Sequence, residues 1–256
     1  VTSGETKSST GFDFLSKQIS KEVLMVPDEC STLGEAVKQV HENSPVTTIV
    51  VGKGEHSIDG EYLLIGSAMH IVGDPDVPKE KIVVLGGVNF KKRIQGNCHL
   101  QHLTLRQAKI SGVWGCSSFT MDDVLVKQCG GIGVFVSGTG GVGRCTNVEV
   151  RQCGMSGVVA DDGASIILIG AKTTVHHNCT DEDSDELMHG LQIWGSSSTT
   201  RTTIQLVSPL TKEQVSLDNG GGGNWGAVDG ADINQIKTTI SDSVDKEEVF
   251  LSDTVR

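Results

Sequence analysis

The sequence predicts a right-handed single-stranded parallel β-helix, an all-β solenoid closed at its N-terminal end by a short capping α-helix. Three gap-free segments carry that reading: LTLRQAKISGVWG from Leu103, VLVKQCGGIGVFV from Val124 and VEVRQCGMSGVVA from Val148, with a fourth opening TTVHHN at Thr173. From Leu105 to Val126, Val150 and Val175 the steps are 21, 24 and 25 residues, the length of one solenoid rung. Composition agrees, since 4% aromatic residues and 32 glycines suit thin, repetitive β structure better than a bulky mixed core.

In chain order, residues 1–20 are polar and rich in Ser, Thr and Lys, which reads as a flexible arm; the β-helix domain is expected over 21–240. Thr32-Leu33-Gly34-Glu35 has the form of a capping box. Leu33, Ala36, Val37 and Val40 follow at helical spacing, predicting a helix that ends near His41. A polar-faced helix there would cover the open end of the solenoid, whose strand edges and core would otherwise be exposed. TTIVVGKG, EYLLIG and MHIVGD read as strands, and Lys81–Leu85 opens the next rung.

Within each repeat the residues alternate, so Leu103 and Leu105, Val124 and Val126, and Val148 and Val150 share the inward face. Three residues after each second core position stand Ala108, Cys129, Cys153 and Asn178, an inward column stacked about 4.8 Å apart. Gly112, Gly133 and Gly157 then begin a second strand after a tight bend. Gly190 opens the same triplet, Leu191-Gln192-Ile193, only after an inserted segment that leaves as a loop. Residues 241–256 form an acidic tail, within which Val249-Phe250-Leu251 is expected to cap the C-terminal end.

The net charge of −11 is concentrated in 181–186 and in the tail, and no dense basic stripe appears, so nucleic acid is excluded as a general partner. No apolar run approaches the ~18 residues of a membrane span, which excludes a membrane as partner. Gly220–Gly223 lacks the following Lys and Ser/Thr of a phosphate-binding loop. The seven cysteines are odd in number and without CxxC pairs, which points to buried, reduced thiols; Cys129 and Cys153 read as small core neighbours. With the sequon Asn178-Cys179-Thr180 pointing inward, an intracellular location is favoured, while secretion stays open because the first residue is Val1.

The stretch TLGEAVKQVHENSPVTTIVVGKGEHSIDGEYLLIGSAMHIVGD resembles the opening of pectin-lyase-like β-helix proteins, and most closely their carbohydrate-binding/sugar-hydrolase repeat domains. The resemblance extends by repeat logic over most of the domain and implies the β-helix fold with a carbohydrate as expected ligand. It stops short of an activity. Neither the paired aspartates, Arg and Gln-rich strand of pectin methylesterases nor the full calcium-binding carboxylate array of pectate lyases is present, and fold alone does not give function.

Side chains that stack from rung to rung define the candidate sites. Arg106, Lys127, Arg151 and His176 form an outward basic column, flanked two residues earlier by Thr104, Leu125, Glu149 and Thr174, where Glu149 could neutralise one member. That column suits an anionic polysaccharide or an acidic partner protein, or is simply a solvated sheet face. Trp114, Phe135, Val159 and Gln192 form a second outward column, whose aromatics could stack on sugar rings or be covered as a satellite core. Asp181, Asp183 and Asp185 alternate in a way able to surround Ca²⁺, the one cofactor left open; an acidic loop without metal is the plainer reading. His176 and His177, adjacent in a strand, are expected to point to opposite faces. Asp218 is the acid–base partner proposed for His176, because VSLDNG aligns with VEVRQC, so the catalytic candidates are Lys127, Arg151, His176 and Asp218.

Three functions are compatible with these residues. The first is a noncatalytic module recognising carbohydrate or protein; the second is a lyase or hydrolase of an anionic glycan; the third is an architectural or oligomeric β-helix.

Overall fold

The computed structural model describes residues 23–42, 46–182, 186–195 and 200–240. The arm and the tail, with Val249-Phe250-Leu251, lie outside the described residues. Every strand pairing is parallel, and the strands fall into two sheets that wind as an all-β solenoid. Right-handed winding is the sense that successive parallel strands adopt in nearly all known connections.

Each rung contributes one strand to each of three faces. The first face is the nine-stranded sheet, which includes Val23–Val26, Thr48–Val51, Met69–Gly73, Cys98–Gln101, Phe119–Asp122 and Val142–Thr146 and ends at Ile236–Thr239. The second face runs through Thr104–Arg106, Leu125–Lys127, Glu149–Arg151, Thr174–His176 and Ser216–Leu217. The third runs through Val113–Gly115, Val134–Ser137, Val158–Asp161, Leu191–Trp194 and Trp225–Val228. Two long strands, Gly54–Ile65 and Ile82–Phe90, serve both of these faces in the early rungs and join them into one twelve-stranded sheet.

The alternation expected of the repeats is what fills the interior. Ile49, Ile71, Leu100, Met121, Cys145, Leu168 and Leu206 stand in one register column of the first face, all buried. Each such apolar side chain contributes about 1.5–3 kcal/mol on burial. Phe90 and Phe119 stack across neighbouring rungs with ring centroids 4.8 Å apart. The column Ala108, Cys129, Cys153, Asn178 is also buried and continues to Asn219. Asn178 Nδ2 donates to Val150 O at 3.1 Å and to Asn219 Oδ1 at 3.0 Å, while its Oδ1 accepts from Cys153 N at 3.1 Å. A buried amide is tolerated because its bonds are met. All seven cysteines are free, and burial pushes the Cys145 thiol up to about 12.

The helix Leu33–Glu42 buries Leu33, Ala36, Val37 and Val40 against the first rungs, as expected. Thr32 Oγ1 accepts from Glu35 N at 3.1 Å, but the reciprocal arm reaches one residue further back, with Glu35 Oε2 accepting from Ser31 N at 3.0 Å. Before it, Val23–Val26 adds an edge strand in register with Thr48–Val51 that sequence reasoning did not anticipate. No helix among the described residues is long and apolar enough to cross a membrane.

Gly112, Gly133 and Gly157 do precede the strands of the third face, as expected. The positive φ of the bend before them belongs to Gln107, Gln128, Gln152, His177 and Asp218, at φ 51 to 56°, and not to these glycines. The glycines are needed for close approach: a Cβ on Gly133 would lie 2.3 Å from Val150 Cγ1 and 2.6 Å from Gly157 O.

Candidate functional site

On the second face Arg106, Lys127, Arg151 and His176 do stack in register, as the sequence predicts. Their charges, however, are largely spoken for. Arg106 Nη2 meets Glu55 Oε1 at 2.5 Å. Glu149 Oε1 lies 2.7 Å from Arg151 Nε and 3.4 Å from His176 Nε2, so it serves two members of the column rather than one. Lys127 alone has no carboxylate partner among the described residues. Of the flanking column, Thr104 and Leu125 are buried rather than outward: the short 3₁₀ turn Lys79–Lys81 packs over the start of this face, and Thr104 Oγ1 donates to Lys79 O at 2.9 Å.

Two expectations about histidine are overturned. His177 does not point away from His176: its φ of 53° breaks the strand alternation, and the two Nδ1 atoms lie 2.8 Å apart on the same side. Asp218 does not continue the His176 row. The register pairs Val175 with Ser216 and His176 with Leu217, one residue off the alignment, which puts Asp218 beside His177 in the left-handed turn. A one-residue slip reverses every side chain. No acid–base pair of His176 with Asp218 forms from that register.

The third face holds the expected aromatic column and extends it. Leu64, Trp114, Phe135, Val159 and Gln192 share a row. Leu64 is 47% exposed, Trp114 and Phe135 are half-buried, and Val159 and Gln192 are buried. Gln192 is held by the inserted loop through Leu187 O and by Ser156 Oγ. The rings form a chain: Tyr62 to Trp114 and Trp114 to Phe135 at 5.9 Å between centroids, then Phe135 to Trp194 at 5.5 Å. Sequence reasoning missed Tyr62 and Trp194, which each stand two residues off the row. Their signal was the spacing Trp194 minus Gln192, two residues along one strand and hence on the same face.

Beyond Trp194 the strip runs into a cavity of about 400 Å³, walled by Trp194, Arg201, Asp229, Asp232 and Gln235 among others. Asp232 Oδ2 accepts from Arg201 Nη2 and Gln235 Nε2, both at 3.1 Å. Hydrogen bonds from Asn234 N, and from Gln235 and Arg201, hold the Asp232 carboxyl below its usual range. Left without a partner are the indole N–H of Trp114, the indole N–H of Trp194 and Oε1 of the buried Gln235. All three atoms are buried, so among the described residues they are unmet groups that cost the fold rather than positions open to solvent.

A further cluster, also missed, lies between the first and second faces in a cleft of about 380 Å³. His102 Nδ1 meets Asp123 Oδ2 at 2.7 Å, His102 Nε2 meets Val77 O at 2.9 Å, and Lys79 Nζ meets Asp123 Oδ1 at 2.6 Å. Burial works against the charged ring, yet the bonds to Asp123 and Val77 outweigh it and raise the His102 pKa. Burial likewise opposes the Asp123 carboxylate, but Lys79 and His102 hold it below its ordinary value. With both ring nitrogens on acceptors, the protonated His102 donates on both sides and ties Val77 to Asp123, and in that form it has no lone pair for base catalysis. The available signal was the polar residue preceding the first core position of each repeat, His102, Asp123 and Asn147, all at φ 51 to 52°.

Asp181 is exposed, and Asp183 and Asp185 lie outside the described residues. Among the described residues no group of three His, Cys, Asp or Glu side chains is placed to hold a metal.

No family model matches the chain, and no curated protein matches it. Among solved structures, the crystal structure of pectate lyase Pel9A is similar at 10% identity, covering 88% of this chain and 79% of that one with a TM-score of 0.43.

Proposed function

We propose that the chain is a noncatalytic recognition module whose ligand is a carbohydrate lying along the third face. The observation that carries this reading is the continuous chain of rings from Tyr62 through Trp114 and Phe135 to Trp194, ending at a polar cavity. Half-buried Trp114, Phe135 and Trp194 offer area to the apolar face of a sugar ring, and the polar side chains that wall the cavity, Arg201, Asp229 and Asp232, offer partners to its hydroxyls. The second face is less suited, because its cations other than Lys127 are paired with Glu55 or Glu149.

Tryptophan fluorescence during titration with neutral oligosaccharides tests the reading, since Trp114 and Trp194 are two of the three tryptophans. A saturable change is expected, weakened about tenfold or more in Trp114→Ala and Trp194→Ala. Unchanged affinity in both variants, or turnover of the oligosaccharide by the purified chain, sinks it.

A further inference from the structure

Where the third face turns back to the first, four successive rungs wall a groove of about 520 Å³, using residues 92–94, Gly96, 116–118, 138–141 and Asp162. One end holds Lys92 and Arg93, with Lys91 beside them. All three are exposed, and among the described residues none meets a carboxylate. No other run of three consecutive cations exists in the chain, whose net charge is −11. An acidic protein that leaves three adjacent cations unpaired at a groove presents a local field opposite to its overall one.

The cations sit on a fixed turn. Ser117 Oγ accepts from Ile94 N at 3.2 Å and donates to Lys91 O at 2.7 Å, which bolts the cationic turn to the next rung. Further along, Gly138 and Gly140 floor the groove, and a Cβ built on either would meet nothing within 4 Å, so the space above them is open. Asp162 is the one carboxylate of the lining, in the rung furthest from the cations.

We propose that this cationic end binds a tetrahedral oxyanion, a phosphate or sulfate ester, carried by the ligand. A single carboxylate would offset only one of the three charges. A phosphate dianion, or neighbouring sulfates, offsets more and presents three oxygens to a guanidinium fork and two ammonium groups. The site is independent of the aromatic strip.

Calorimetric titration of the full chain with inorganic phosphate, inorganic sulfate and acetate at low ionic strength tests it, beside the double variant Lys92→Gln/Arg93→Asn. Asn tolerates the left-handed backbone that Arg93 adopts at φ 65°, so the turn is preserved. Saturable binding of phosphate or sulfate is expected, weakened about tenfold or more in the double variant and unaffected by Lys127→Gln on the second face. The tighter of the two oxyanions identifies the ester. Absence of saturable binding, acetate binding as tightly, or equal affinity in the double variant overturns the proposal. Neutral-oligosaccharide binding measured on the same double variant stays as in the parent chain, so the two readings fail separately.

Discussion

On the second face Arg151 and His176 reach Glu149, two residues or one rung away, Arg106 reaches Glu55 two strands along the ladder, and Lys127 is left over. On the third face Leu64, Trp114 and Phe135 stand in an equally regular row, and among the described residues the buried indole nitrogens of Trp114 and Trp194 have no hydrogen-bond partner. Both rows follow from the same rung spacing. What separates them is the neighbourhood: Glu55 and Glu149 consume the charge of one, while the half-buried rings of the other keep part of their surface toward solvent. A repeated column is therefore only half of a site, and the residues flanking it decide whether it is free to meet a ligand.

The most damaging test of that contrast removes the corner both faces share. Gly133→Ala places a Cβ against Val150 Cγ1 and Gly157 O, and is expected to destabilise the chain by about 1–3 kcal/mol in urea unfolding. A smaller loss would mean that the two faces are less tightly coupled at this bend.

A titration sharpens the comparison next, because His102 and Asp123 are a paired cluster of the second face's kind. The raised His102 contributes stability fully below its ordinary value of 6.5 and loses it as pH rises through its folded value. The lowered Asp123 contributes above its ordinary value of 3.8 and loses it as pH falls through its folded value. Thermal unfolding should place the contribution of this tie at its largest between those two values, and His102→Gln should flatten the alkaline limb. An unchanged pH profile in that variant removes the tie from the account.

The gentlest test converts one face toward the other. Glu149→Gln frees Arg151 and His176, and should shift stability by no more than about 1 kcal/mol, since the groups are part-exposed, while raising retention on a polyanionic resin at low salt. Retention equal to that of the parent chain would show that the column is closed to ligands for a reason other than Glu149.

The repeats from Leu103 to Val175 gave away their register because each strand lies between fixed landmarks: a pair of apolar residues, a small inward residue and a glycine. Beyond the inserted loop no such landmark survives, and Asp218 was placed one residue from where Val175 and Ser216 pair. His177 was misread for a different cause. Strict alternation holds only inside a strand, and a left-handed residue at its end turns the side chain back toward its neighbour. Tyr62, Trp194 and the His102–Asp123 pair escaped because they approach diagonally or from the corner, where a column-by-column comparison of rungs does not look.

The left-handed corners carry one more implication. Gln107, Gln128, Gln152 and His177 place the reversal of the chain on ordinary side chains inside each rung. A rung therefore brings its own bend, its own inward column and its own pairing edges, and its backbone pairs with the rungs before and after it. Tandem duplication of the segment from Val126 to Glu149 would slide in as a complete layer, lengthening every column by one row without requiring a compensating change elsewhere. A gene of this kind can lengthen its binding face by copying itself.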